Sequence, residues 1–421
     1  MPAGRSEELI VDEARLSQLV EDCLREARAS GASAAEAALS MEAGLSVTVR
    51  MGEVETVEYN RDKGLAVTVY FGHRKGSAST TDFSAGALRD TVRAACDIAR
   101  YTAEDECAGL AEAERMADIV PDLDLFYPWR PSAEQGIEIA RECEAAALAY
   151  DPRIVNSEGA TVTSHDGARV YGNSHGFIGA YRSSRHSLSC SVIGKASDSM
   201  QRDYWYTVAR DATDLDVPTR VGERAAQRTA RRLNGRKLAT CQAPVLYEAD
   251  VARGLLSHFL RAVNGHSLYR KSSFLLDHLG KPVFPNHVRI DERPLEKKAL
   301  GSASFDNEGV ATRPRDLVRD GELQGYVLDS YAARRLGMET TANAGGVHNL
   351  YLSHNDVGQN ELLARMDKGV LVTEVMGQGV NTVTGDYSRG ASGFWVEGGE
   401  ICYPVEEITV AGNLKQMFAD I

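Results

Sequence analysis

The chain has 421 residues, 43% hydrophobic and 25% charged, and carries a formal net charge of −13. That length exceeds one ordinary core and points to two or three domains. The acidic balance argues against nucleic acid as a main partner, because phosphate binding needs clustered Lys and Arg. The densest basic run, Arg228 to Lys237 (RTARRLNGRK), closes a predicted helix, where cations suit the dipole. Seven scattered cysteines include no Cys-x-x-Cys pair, so they read as buried, reduced thiols of a cytoplasmic protein. The N-terminus MPAGRSEELIVDEARL lacks an apolar leader, and no run reaches membrane-spanning length, so no membrane role is expected.

The first predicted helix carries Leu16, Leu19, Val20, Cys23, Leu24 and Ala27 at helical spacing, with Gly31 past its end. The period then changes to two. LSVTVRMGEVETVEY alternates on both sides of Met51-Gly52, a hairpin signal, and GLAVTVYFG places Leu65, Val67, Val69 and Phe71 on one face. Ser84 caps a helix striped by Leu88, Val92, Ala95, Cys96 and Ala99. Three prolines in PDLDLFYPWRPS, residues 121–132, mark a linker. A second helix–strands–helix unit follows. Ser132 caps a helix through Tyr150, strands alternate around glycine turns, and a helix runs from Pro218 to Asn234 before Gly235. From Ala243 the chain becomes short strands and Gly-rich turns, with one amphipathic helix at about 251–264 and short helices near Ser330–Leu336 and Gln359–Lys368. The expected class is α+β: helix–meander–helix units at 1–120 and 121–237, then a β-rich domain at 238–421, barrel-like or a sandwich.

Few motifs carry chemistry on their own. GLLSHFLRAVNGHSLYRKSSFLLDHLG, residues 254–280, holds His258, His266 and His278, and His287 follows. A helix brings two ligands to one metal at i, i+4. His258 and His266 are eight residues apart, about 12 Å of rise, so no intrinsic metal site is expected there. GNSHG, Gly172 to Gly176, matches a nucleophile elbow but has strands on both sides, so a hairpin turn is the better reading. MGQGVNTVTG, Met376 to Gly385, lacks the third glycine and the following helix of a dinucleotide site. GDYSRG, Gly385 to Gly390, is either a turn with an Asp–Arg pair or a contact loop, which makes Asp386, Tyr387 and Arg389 candidate substrate or partner contacts.

Longer stretches are more specific. YRKSSFLLDHLGK, SASFDNEGVATRPRDLVRDGELQGYVLDSYAARRLG, NAGGVHNL and VTEVMGQGVNTVTGDYSRGASGFWVEGGEICYPVEEITVAGNL closely resemble the PmbA (TldE) branch of the TldD/PmbA family. The resemblance is specific from about residue 244 to 418 and one of pattern before that. It implies a cytosolic zinc metalloprotease of two related subunits that matures a peptide antibiotic and degrades an antitoxin, in a family first described as a modulator of DNA gyrase. The catalytic, TldD-type subunit carries a His-Glu-x-x-x-His zinc helix. Matching GLLSHFLRAV to it through the shared Leu-Leu pair puts Ser257 and Ala262 at the two ligand positions and His258 at the glutamate. The resemblance therefore implies a subunit without catalytic or metal residues and without a cofactor of its own, whose TldD-like partner holds the zinc. A cysteine from a C-terminal segment supplies the family's third ligand, and the sequence shown stops at Ile421 before that segment would come. Tyr269 and Arg270 join Asp386, Tyr387 and Arg389 as candidate contacts to an unfolded peptide or to the partner. A homodimer is an open expectation for the isolated chain, and Phe394 and Trp395 of GFWVEGG are candidate interface anchors. Two other readings stay open: a self-sufficient hydrolase with an unrecognised site, and a gyrase-associated regulator.

Overall fold

The computed structural model describes residues 12–421. The N-terminal stretch read as lacking a leader, and with it the start of the 1–120 unit, lies largely outside them. Helix α1 (Glu13–Ala29) is capped by Asp12 and buries Leu16, Val20, Cys23 and Ala27. Strands β1 (Ala34–Arg50) and β2 (Glu53–Phe71) meet at Met51 and Gly52, both with positive φ, as a two-residue hairpin turn requires. The two runs read separately in 53–71 are one strand. β3 (Arg74–Thr80) pairs only with its last seven residues, Leu65 to Phe71. Helix α2 (Ala85–Tyr101) starts at the Ser84 cap and buries its expected stripe.

Helix α3 (Ala133–Tyr150) opens with a full capping box between Ser132 and Gln135. β4 (Ile154–Asn173), β5 (Ile178–Ala196) and β6 (Ser199–Ala209) form a meander, and α4 (Pro218–Arg231) follows. GNSHG is the β4–β5 turn, with Gly176 at φ 93. The strands of both helix–meander–helix stretches belong to one six-stranded antiparallel sheet, ordered β3-β2-β1-β4-β5-β6, because β1 pairs with β4 from Glu36–Asn173 to Val49–Ala160. Alternation puts Ala35, Leu39, Leu45 and Val47 of β1 on one face. The helices cover that face in two pairs, α1 with α2 and α3 with α4, over separate apolar clusters. The proline-rich segment fills the seam between the pairs. Sheet side chains meet its backbone there: Ser184 Oγ accepts from Tyr127 N at 2.8 Å, and His186 Nε2 lies 2.8 Å from Tyr127 O.

The remaining chain is β-rich, as expected, in two four-stranded sheets. β7 (Val245–Tyr247) leads into α5 (Ala249–Ala262) and α6 (Gly265–Tyr269). β8 (Ile290–Glu292), β9 (Arg315–Arg319), β10 (Glu322–Leu323), α7 (Ser330–Arg335) and β11 (Leu350–Leu352) follow. Then come α8 (Gln359–Met366), β12 (Gly369–Met376), β13 (Asp386–Glu397), β14 (Glu400–Asn413) and α9 (Leu414–Ala419). One sheet is ordered β10-β9-β8-β11 and the other β14-β13-β12-β7. The largest apolar cluster joins α5, through Phe259 and Ala262, to Leu317, Leu328 and Phe418.

Several local expectations change. Residues 385–390 are not a turn: Asp386 onward pairs with β14, starting at Asp386–Asn413. Of the two proposed anchors, Phe394 is buried under the Arg231 guanidinium at 4.7 Å, while the Trp395 ring meets Lys368 Nζ at 5.7 Å. Cys23, Cys96, Cys143 and Cys190 are buried free thiols, but Cys241 and Cys402 are exposed. Among the described residues no helix is long and apolar enough to cross a membrane.

Candidate functional site

Helix α5 presents Arg253, Gly254, Ser257 and His258 on one face, at the i, i+1, i+4, i+5 spacing of neighbouring turns. They line a cleft of about 540 Å³ between the six-stranded sheet and the β7–β12–β13–β14 sheet. Strand β6 supplies the opposite wall with Tyr204, Trp205 and Tyr206. Tyr204 and Tyr206 stack at 6.3 Å. β12 and β13 supply Thr373, Glu374 and Arg389. The β12–β13 register shifts between Val372 and Glu374, and such a bulge re-aims side chains beside a site.

The zinc-helix positions have other occupations. Ser257 Oγ donates to the Arg253 carbonyl at 3.3 Å. The Ala262 methyl is fully buried in the core. The His258 ring meets Tyr387 edge-on at 6.0 Å. Burial first, then the Arg389 and Arg261 charges, lower the His258 pKa. The group the resemblance implies is a zinc ion, and these residues do not fit it. A hydroxyl and a methyl stand at the two ligand positions, and the one imidazole, at the glutamate position, feels the charges of Arg389 and Arg261, which repel a dication. Among the described residues no three His, Cys, Asp or Glu side chains form a metal-binding group. The histidines at 258, 266, 278 and 287 are dispersed: His266 Nε2 donates to Asp329 at 2.6 Å, His278 Nδ1 lies 2.7 Å from the Leu276 carbonyl, and His287 is exposed.

The candidate contacts do not form one group. Arg389 reaches the cleft, and Tyr387 lies buried behind it against His258. Asp386 is exposed, accepting from Thr384 Oγ1 at 2.6 Å and Asn413 Nδ2 at 3.2 Å, and these bonds lower its pKa. It does not pair with Arg389, whose Nε donates to the Met376 carbonyl at 3.0 Å. Tyr269 and Arg270 sit elsewhere. Arg270 Nε donates to Tyr269 Oη at 3.1 Å, and the Tyr269 ring packs against His266 and Tyr331.

The cleft floor holds what sequence reasoning missed. Arg228 on the cleft lining and Arg232 behind it, read as helix-end cations that suit the dipole, are nearly buried and bridge acids from both halves of the chain. Arg228 bonds Asp203 at 3.3 Å and Glu248 at 2.8 Å, and Arg232 bonds Asp203 at 3.3 Å and Glu374. Their one-turn spacing was the available signal for a shared partner. Arg224 and Arg228 also lie over the Trp205 ring, at 5.2 and 5.3 Å.

Three family descriptions match in sequence order: PmbA/TldA metallopeptidase domain 1 at 35–99, its central domain at 126–233 and its C-terminal domain at 240–421. The chain belongs to the PmbA/TldD metallopeptidase family. Metalloprotease PmbA of Escherichia coli O157:H7 is 52% identical over 93% of this chain and 88% of its own length. The PmbA homolog of Haemophilus influenzae is 50% identical over the whole chain and 93% of its own length. The TldD homolog of that organism is 22% identical over 86% of the chain and 79% of its own length. Among solved structures, a Bacteroides thetaiotaomicron protein described as a modulator of DNA gyrase superposes with a TM-score of 0.91 at 29% identity, covering 97% of this chain and 93% of that one. TldE of Thermococcus kodakarensis shares the fold, with a TM-score of 0.81 at 20% identity over 95% of this chain and 92% of its own.

Proposed function

We propose that this PmbA/TldD family chain is the non-catalytic subunit of a cytoplasmic zinc metalloprotease, pairing with a TldD-like subunit that carries the metal and helping to present unfolded peptides to it. The observation that carries this reading is the state of α5. The helix keeps the apolar face that packs it into the core, yet Ser257, His258 and Ala262 form no ligand set. Hydrolysis at zinc needs three protein ligands and an open fourth position, so the chemistry would belong to the partner. The net charge of −13 argues against nucleic acid as this chain's own main partner.

The test is metal content and activity of the purified chain. Elemental analysis after zinc loading is expected to give well under one zinc per chain. The triple change Ser257→His, His258→Glu, Ala262→His should still not cleave an unfolded peptide, because it rebuilds two ligands and pushes an imidazole into a closed core. One tightly held zinc lost on His258→Ala, or chelator-sensitive cleavage by the triple variant alone, would show a self-sufficient hydrolase instead.

A further inference from the structure

The cleft beside α5 is lined by Arg228, Arg253 and Arg389 and by Asp203, Asp250 and Glu374, but these charges are not all paired with one another. Arg228 on its lining is held by Asp203 and Glu248, and Glu374 is held by Arg232. Arg253 and Arg389 are different. Among the described residues neither forms an ion pair with a carboxylate: their Nε groups donate to main-chain carbonyls, of Asp250 at 3.1 Å and of Met376 at 3.0 Å. Arg253 interacts most strongly with Tyr206, whose ring lies 6.0 Å from the guanidinium, and the Asp250 carboxylate acts on it at longer range. Thr373, at the β12 bulge, has a buried hydroxyl with no hydrogen-bond partner, a cost that a native structure usually avoids.

The opposite wall suits a chain rather than a small ion. The stacked Tyr204–Tyr206 pair is accompanied by Trp205, and Tyr204 is half exposed. All three belong to β6, which has a sheet neighbour on one side only. About 540 Å³ is far more than one inorganic anion fills. Two guanidiniums that bond no acid, facing aromatic rings across a cleft, match a carboxylate attached to an apolar, extended tail.

We infer that this cleft is a receptor for a peptide carboxylate: Arg389 and Arg253 take the anion, and Tyr204 and Tyr206 take the chain beside it. The inference deepens the preceding reading and rests on it for the peptide ligand class. A charge-assisted contact of this kind separates acid from amide by roughly tenfold in affinity. Fluorescence anisotropy with the full chain would compare one unstructured Ala/Ser/Phe peptide in three forms: free C-terminal acid, C-terminal amide, and amide with an internal Glu. The free acid should bind roughly tenfold more tightly than the plain amide. Arg389→Gln should erase the difference while keeping the thermal midpoint, and Arg253→Gln serves if that variant fails to fold. Recovery of binding by the internal Glu form would place the carboxylate on a side chain and keep the receptor. Equal binding of acid and plain amide, or no binding of any form, overturns the inference. Co-purification with a zinc-bearing homologue is scored separately, so a pair that forms without carboxylate preference sinks this inference alone.

Discussion

Glu308 shows what burial does to one group. Ser330 donates to its carboxylate from Oγ at 2.5 Å and from N at 3.0 Å. Burial outweighs these bonds, and with repulsion from Asp306 and Asp329 it raises the pKa to about 7. Asp306 nearby is raised to about 6, again chiefly by burial. A carboxylate raised in the folded state is protonated there when the unfolded chain has already lost its proton. Its contribution is fully present below the ordinary value of 4.5 and is lost as pH rises through about 7. A shift of that size corresponds to on the order of 3 kcal/mol. Glu308→Gln keeps an acceptor for Ser330 without the charge. The variant should therefore match the parent near pH 5 and exceed it in thermal midpoint near pH 8. Melting curves that stay parallel for the two proteins across this range would show that Glu308 does not titrate there.

At the scale of elements, α4 acts as a clasp. Arg232 joins Asp203 of β6 to Glu374 of β12, elements far apart in the sequence, and its side chain is only 8% exposed. Removing one partner of a buried ion network leaves charge unpaired and costs about 3–5 kcal/mol. Arg232→Ala should lose stability of that order in urea unfolding, whereas Arg220→Ala, at an exposed pair with Asp216 on the same helix, should lose at most about 1 kcal/mol. Similar losses for both would show that the clasp contributes no more than a surface pair. The contrast also explains what could be read beforehand. Helix limits follow local chemistry, so Ser84, Ser132 and Pro218 announced their helices. Alternation found the strands and the buried set Leu65, Val67 and Val69. The β1–β4 pairing joins residues more than a hundred positions apart and leaves no local mark, so the single six-stranded sheet was not legible. The same distance hid the cleft. Arg389 stood out only as a polar residue between glycines, and nothing near it named Arg253 or Tyr204 as companions.

For the whole molecule, the question is where catalytic competence resides. The proposed pair divides the work: the homologue holds the zinc, and this chain contributes the fold, the surface that joins them and a cleft for part of the peptide. Stable obligate pairs bury roughly 2,000 Å² or more, so the pair should persist through sizing at micromolar concentration. Co-expression with a TldD-like homologue is expected to give one peak containing both chains in equal amounts, with zinc following the homologue's content. Peptide cleavage should require both chains and stop on chelation, while the peak stays intact, as expected of a pair whose proposed metal lies in the partner and not in the joint. Arg389→Gln in this chain should leave the pair assembled and its zinc unchanged, since neither depends on the cleft. Separate peaks for the two chains, or full cleavage by the homologue alone, would remove the reason for a subunit that has kept the zinc helix without its ligands.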